Sequence, residues 1–191
     1  MNVQPISVMV ITNIPTPYRI PLFNQLSQEP EIDLKVLFLG EHEAERGWDV
    51  SSRDFDFDYK FMNGWHTFLA RWEIPIHLNW GVWLALMNDK PEIVITSGYD
   101  NPAYWQAALY ARLFHKKFIL WNGTTCLSSR QLSGPIAWFK RNVIRSADAC
   151  VAYGTKAADY LKFFGVEEER IVVGVNAVDM DRFKHMTEAC R

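Results

Sequence analysis

The feature that most limits what this chain can fold into is a recurrence of short, unbroken apolar runs. VMVI (8–11), IVI (93–95) and FILW (118–121) are continuous rather than alternating. Such runs mark strands covered on both faces, as in parallel sheets. Helix-like stretches separate them, and strands alternating with helices require crossover connections. The expected fold is therefore α/β: a Rossmann-like, doubly wound, mainly parallel sheet of about seven strands with helices on both faces. The strand candidates are Ile6–Thr12, Ile32–Leu39, Phe57–Met62, Glu92–Thr96, Lys117–Trp121, Ala149–Tyr153 and Arg170–Val175.

Helix ends are also readable. Asn101 is placed to cap a helix whose first residue is Pro102, with Ala103, Ala107, Ala111 and Phe114 on one face. Ser133-Gly134-Pro135 opens another, with Ile136, Phe139, Val143 and Ala147 inward and Lys140, Arg141 and Arg145 outward. A third runs from Thr155 to Phe164 and stops at Gly165, with Val166 as its hydrophobic closure. Residues 41–56 and 122–132 read as long loops.

At 191 residues, with 49% hydrophobic and 22% charged residues, the chain can build a core without disulfides. Cys126, Cys150 and Cys190 are far apart and unpaired in spacing, which suits a reducing compartment. A formal charge of −2 gives no reason to expect nucleic acid. No run reaches membrane-spanning length and no secretory signal is visible, so a cytoplasmic protein is expected.

Ligands of open parallel sheets bind outside the carboxyl ends of the strands. Three polar stretches follow strands there. ITNIPTPYRIPLFNQL (11–26) has prolines where a nucleotide-binding loop usually has glycines. Thr16 can cap with Pro17 as first helical residue, or Pro21 can begin the helix instead. Asn13, Thr16, Tyr18 and Arg19 are its candidate binding residues. SGYDNPAYW (97–105) offers Tyr99, Asp100 and Asn101, one of which plain capping accounts for. WNGTTC (121–126) offers Trp121, Asn122, Gly123, Thr124 and Thr125, amide and hydroxyl groups suited to polyols beside a flat ring suited to a sugar.

Two further stretches invite other readings. DFDFD (54–58) has the carboxylate spacing of a magnesium site, but strict alternation is the pattern of a half-exposed strand. No metal is expected. GWHTFLARW (64–72) places Trp65, Phe68, Leu69 and Trp72 at helical spacing, either as a packed helix or as one dipping into a membrane interface. No Ser/His/acid set, HExxH or paired-cysteine motif is present, and no catalytic residue is assigned.

The chain resembles retaining GT-B glycosyltransferases of family 4, the group 1 transferases. The likeness rests on NIPTPYRIPLF (13–23), HLNWG (77–81) with PEIVITSGYDNPAYW (91–105), and WNGTT (121–125). The most specific stretch is RSADACVAYGTKAADYLKFFGVEEERIVVGVNAVDMDRF (145–183), with Asn176, Val178, Asp179 and Phe183 in the family pattern. The resemblance implies that residues 1–175 are the N-terminal, acceptor-binding domain and that 176–191 begin the interdomain linker. The C-terminal donor-binding domain, with its Glu-x₇-Glu motif, is not in this chain. A nucleotide-sugar would be a co-substrate held mainly by that missing domain, and no further cofactor is implied.

The family's glycine pair in the first loop is replaced by proline here, leaving Arg19 as the residue suited to an anionic group. Residues 122–125 would face the transferred sugar. The implied acceptor is a glycan or lipid-linked sugar in cell-surface polysaccharide synthesis, with possible peripheral contact at the inner face of the membrane. The other reading is a non-catalytic subunit that binds acceptor or anchors a separate donor-binding chain.

Overall fold

The computed structural model describes residues 4–41, 51–69, 74–79, 81–129 and 134–174. The order is β1 (Ile6–Thr12), α1 (Ile20–Gln28), β2 (Ile32–Phe38), β3 (Asp58–Phe61), β4 (Trp65–Leu69), β5 (Ile74–Leu78) and α2 (Gly81–Asp89). There follow β6 (Ile93–Thr96), α3 (Pro102–Leu113), β7 (Lys117–Asn122), α4 (Gly134–Arg145), β8 (Ala149–Ala152), α5 (Thr155–Phe163) and β9 (Ile171–Val173). All seven expected strands are present and form one parallel sheet in the order β3-β2-β1-β6-β7-β8-β9.

The continuous apolar character of β1 has a direct cause. Met9 and Ile11 enter a core with Val82 and Leu86 of α2 and Ala103 and Ala107 of α3. Val8 and Val10, pointing the other way, pack with Ile20 and Phe23 of α1. Helices therefore lie on both faces. From β1 the chain winds outward to β2 and β3, then returns to lay β6 against the other side of β1. That reversal opens a crevice beyond the carboxyl ends of β1 and β6. On the α1 face, Ile93, Ile95 and Ile119 stay half-buried beside a cavity of about 350 Å³.

Alanines bring α3 close to the sheet: Ala103, Ala107 and Ala111 are buried, while Asn101 Oδ1 accepts from the Ala103 amide at 3.0 Å. Phe114 does not join that face. The helix stops at Leu113, and Phe114 swings out to 42% exposure against Tyr110. In α4 Ala137 and Ile144 are buried among the described residues, Val143 packs half-buried on the same core and Ala147 just beyond is buried as expected, but Phe139 is 39% exposed and packs on Trp105 instead. The α5 terminus is as expected. Gly165 has φ +89°, its amide donates to Lys162 O and the Val166 amide to Leu161 O, the paired bonds of a Schellman closure.

Two expectations are corrected. Thr16 does not cap a helix at Pro17: α1 begins at Ile20 with Pro21 in its first turn, and Thr16 supplies only its carbonyl, to the Arg19 and Ile20 amides. The stretch around 64–72 is not a helix. Trp65–Leu69 is β4, paired antiparallel with β5, and Arg71 and Trp72 lie outside the described residues. Short apolar spacings fit both periods, and pairing with a neighbouring strand decided this one. In DFDFD, Asp56 and Asp58 are exposed while Phe55 and Phe57 pack on Phe38. Among the described residues no cluster of three metal-ligating side chains occurs.

Candidate functional site

Four strand ends converge at the crevice. Thr12 ends β1, Ser97 follows β6, Asn122 ends β7 and Tyr153 follows β8. Arg19 ties three of these strands together from the turn before α1. Its Nη1 donates to Thr12 Oγ1 at 2.6 Å, its Nη2 donates to the Tyr153 hydroxyl, and its guanidinium lies 4.7 Å from the Trp121 ring centre. Tyr18 lies 6.0 Å from the same guanidinium.

Arg19 is only 8% exposed, and among the described residues no carboxylate pairs with it. Its Nε is buried without a hydrogen-bond partner, as is Thr16 Oγ1. Removing a cation from water is unfavourable unless it is paired and hydrogen-bonded. Two hydroxyls and a ring face offset only part of that penalty. The arrangement therefore leaves positive potential at the crevice, suited to a phosphate or carboxylate group on a ligand.

A second set of hydroxyls continues from Thr12. The Ser97 hydroxyl donates to Thr12 Oγ1 at 2.9 Å, and its oxygen lies 3.0 Å from the Tyr104 hydroxyl. Tyr104 in turn donates to Asn13 Oδ1 at 2.6 Å. Asn13 is thus held in one orientation, with part of its surface open to the crevice.

The β6–α3 loop is built from inside. Trp105 Nε1 donates to Tyr99 O, and the Tyr99 and Tyr160 hydroxyls meet at 2.6 Å. Burial, then the hydrogen bond to Tyr160, pushes the Tyr99 hydroxyl well above its ordinary pKa, so it stays protonated. Asp100 stands at the rim. Crowding by protein atoms raises its carboxyl and Lys140 opposes the rise, and because Asp100 keeps exposed surface, water screens both effects. Burial likewise lowers the Lys140 ammonium, whose nitrogen lies 5.9 Å from the Tyr99 ring centre.

The β7–α4 loop holds itself. Asn122 Oδ1 accepts from the Thr124 amide at 3.2 Å while its Nδ2 donates to Thr124 O at 3.1 Å. Gly123 is needed for close approach: a Cβ there would lie 2.6 Å from the Tyr153 ring. Thr125 and Ser128 exchange amide-to-hydroxyl bonds, closing the loop from which Leu127 projects.

The structure gathers Asn13, Thr16, Tyr18, Arg19 and Trp121 around Thr12 and Tyr153 and rests Gly123 on the Tyr153 ring, while Thr124 bonds Asn122, Thr125 turns to Ser128 and Asp100 lies toward Lys140. It turns Tyr99 inward and gives Asn101 and Asn122 local tasks, a helix cap and a loop brace. Sequence reasoning missed Thr12, Ser97, Tyr104 and Tyr153. The available signal was positional: Thr12 closes a parallel strand, and Ser97 and Tyr153 each follow one, where ligands bind.

Known structures share this architecture. The UDP-N-acetylglucosamine 2-epimerase from Rickettsia bellii matches with TM-score 0.60 and 16% identity over 98% of this chain and 49% of that one. The lipopolysaccharide outer core galactosyltransferase WaaB matches with TM-score 0.58 and 15% identity over 91% and 46%. HepE from Anabaena, solved with UDP, matches with TM-score 0.62 and 10% identity over 92% and 45%. These likenesses establish a GT-B-type half-domain fold, and the chain spans about half the length of each. No protein-family model and no curated protein matches the chain.

Proposed function

We propose that this chain is the acceptor-side half of a retaining, metal-independent group 1 (family 4) glycosyltransferase. It would serve in transfer of a sugar from a nucleotide-sugar to a glycan or lipid-linked acceptor for cell-surface polysaccharide, at the cytoplasmic side of a membrane. Residues 1–175 form the acceptor domain, 176–191 lead into a linker, and a donor-binding domain on further polypeptide completes the cleft. The observation that carries this reading is Arg19, a buried guanidinium with no carboxylate partner among the described residues, set among sugar-compatible hydroxyls at the crevice.

In this reading the two domains align donor and acceptor. The acceptor oxygen bonds to the anomeric carbon as the bond to the diphosphate breaks on the same face. The acceptor proton passes to the departing phosphate oxygen. Arg19 stabilises the charge that develops on the diphosphate or an anionic acceptor group. Asn13, Tyr18, Thr124 and Thr125 hold sugar hydroxyls, and Trp121 supports Arg19 from beneath. No protein group acts as nucleophile.

Calorimetric titration of UDP into the 191-residue chain alone should give little or no heat. The same chain joined to a donor-binding domain should transfer labelled sugar to an acceptor. Tight UDP binding by the isolated chain would contradict the division of labour. Acceptor binding without transfer would make the chain a non-catalytic subunit. Interconversion of UDP-sugar epimers without an acceptor would assign it to the epimerase chemistry of other proteins with this fold.

A further inference from the structure

A helix packed on one side of a sheet normally turns a polar face outward, whereas one that is apolar all round is buried on every side. The helix α5 obeys this: Thr155, Lys156, Asp159 and Lys162 stand in solvent, with Phe163 the one large apolar group beside them. The helix α3 does not. Its sequence PAYWQAALYARL has one charged residue, Arg112, and its other exposed residues are Trp105, Leu109 and Leu113. Spaced by four, these three form a single ridge along the side turned away from the sheet. Neighbouring rings widen it. Phe114, just past α3, packs on Tyr110 and lies 6.5 Å from the Trp83 ring of α2, while on the other flank Trp105 meets Phe139 of α4 edge-on at 4.8 Å. With Leu84 on α2 and Trp138 on α4, this surface holds seven of the thirteen exposed large apolar side chains among the described residues, each between 38% and 68% exposed.

We infer that this surface is where two copies of the chain pair, α3 against α3, about a two-fold axis near Leu109. Size is the first argument. At roughly 200 Å² for a large side chain, seven that are about half exposed present on the order of 700 Å² of apolar surface. The largest patch on a typical monomer is about 300–600 Å², and a stable dimer buries roughly 800 Å² from each partner. Pattern is the second. A two-fold contact needs a patch complementary to itself. Along α3, Trp105 and Leu113 are equidistant from Leu109, as are Gln106 and Arg112. A roughly antiparallel pair therefore sets indole against leucine twice and guanidinium against amide twice. Ridges of this spacing interdigitate where helices cross at about −50°, which carries α2 and α4 of each copy over the flanking rings of the other. Charge is the third. A lipid surface selects apolar groups bordered by basic ones, but along α3 Arg112 stands alone, and α2 ends in one acid and one base, Asp89 and Lys90. The pairing leaves Arg19 free and does not depend on the sugar-transfer reading.

The test is sedimentation equilibrium of the 191-residue chain at micromolar concentration, where a species of twice the monomer mass is expected. Leu109→Asp sets two carboxylates face to face across the axis and should raise the dissociation constant by about a hundredfold or more. Leu109→Lys should do the same, and an equal mixture of the two variants should recover a mixed dimer, because position 109 meets its own copy. Leu113→Ser, whose loss counts twice in a symmetric contact, should weaken pairing by about tenfold or more. Leu127→Asp, on the almost fully exposed tip of the β7–α4 loop and outside this surface, should leave the dimer intact. Circular dichroism confirms that each variant folds, since every substituted side chain is exposed in the single chain. A monomer at all concentrations, a Leu109→Asp chain that still pairs, a mixture that stays monomeric, or dissociation by Leu127→Asp would overturn the inference. So would a dimer that disappears when the chain is joined to a donor-binding domain, because the surface would then belong to the rest of the polypeptide. Capture of a monomer by lipid vesicles through Leu109 and Leu113 would overturn it as well.

Discussion

The two edges of the parallel sheet treat charge in opposite ways. At the amino edge, Lys117 pairs with Asp148 at 2.9 Å, and Asp148 also accepts from the Phe118 amide at 2.9 Å. Arg170 there donates to the carbonyls of Arg145, Ala147 and Asp148. Desolvation would raise the Asp148 carboxyl, but the Phe118 amide, Lys117 and Arg170 together hold it below its ordinary value. At the carboxyl edge, Arg19 is buried with only hydroxyls and aromatic rings as partners among the described residues, and Asp100 is raised instead of lowered. The amino edge is satisfied by its own residues. The carboxyl edge leaves a charge for something else to complete, as expected of a binding site rather than a structural one.

The strongest way to break this comparison is Arg19→Met. If Arg19 awaits a ligand anion, the joined enzyme should lose about a hundredfold or more in kcat/KM, an interaction of roughly 3 kcal/mol. Urea unfolding of the ligand-free chain should show little loss of stability or a small gain, because a buried cation is replaced by an apolar side chain of similar reach. A loss of several kcal/mol in stability would make Arg19 a structural residue.

A smaller effect is expected from Gly123→Ala. The new methyl would displace the Tyr153 ring and with it the Arg19 contact, at a cost of about 1–3 kcal/mol in urea unfolding. Unchanged stability would mean the ring moves freely, and the close approach would then constrain nothing.

The smallest effects are in pH. Asp148 has its folded pKa lowered, so its contribution to stability is present above about pH 4 and is lost as pH falls through the folded value. Asp100 has its folded pKa raised, so its protonated form favours the folded state at low pH, and this fades as pH rises through the folded value. Unfolding midpoints of Asp148→Asn and Asp100→Asn measured between about pH 3 and 7 should therefore deviate from the parent in opposite directions. Deviations of the same sign would remove the distinction between the edges.

Much of the fold was legible because its signals are local and redundant. The unbroken runs of β1, β6 and β7, the Asn101-Pro102 start of α3 and the Gly165-Val166 end of α5 each have one conformation that suits them. The β4–β5 hairpin was not legible, since residues 64–72 place apolar groups at spacings both periods accept. On the α4 face Val143 and Ala147 meet the core as read, but Phe139 looked like a core residue and packs on Trp105 at the surface. In the site, the loops were foreseen and the partners were not. Arg19 and Tyr153 are far apart in sequence and meet only because β1 and β8 end at the same edge. No local pattern encodes that meeting.

The unequal bracing of the two crevice loops bears on how the crevice can accommodate what enters it. The 97–105 segment is pinned to the core through Tyr160, to the first loop through Asn13 and to itself through Trp105. The 122–128 segment is fastened largely within itself, through Asn122 with Thr124 and Thr125 with Ser128. One wall is thus tied across the fold, and the other chiefly within its own turn, with Gly123 resting on Tyr153 and Cys126 on the core. Substitutions at Thr125 or Ser128 would reshape the second wall while leaving in place the bonds that hold the first.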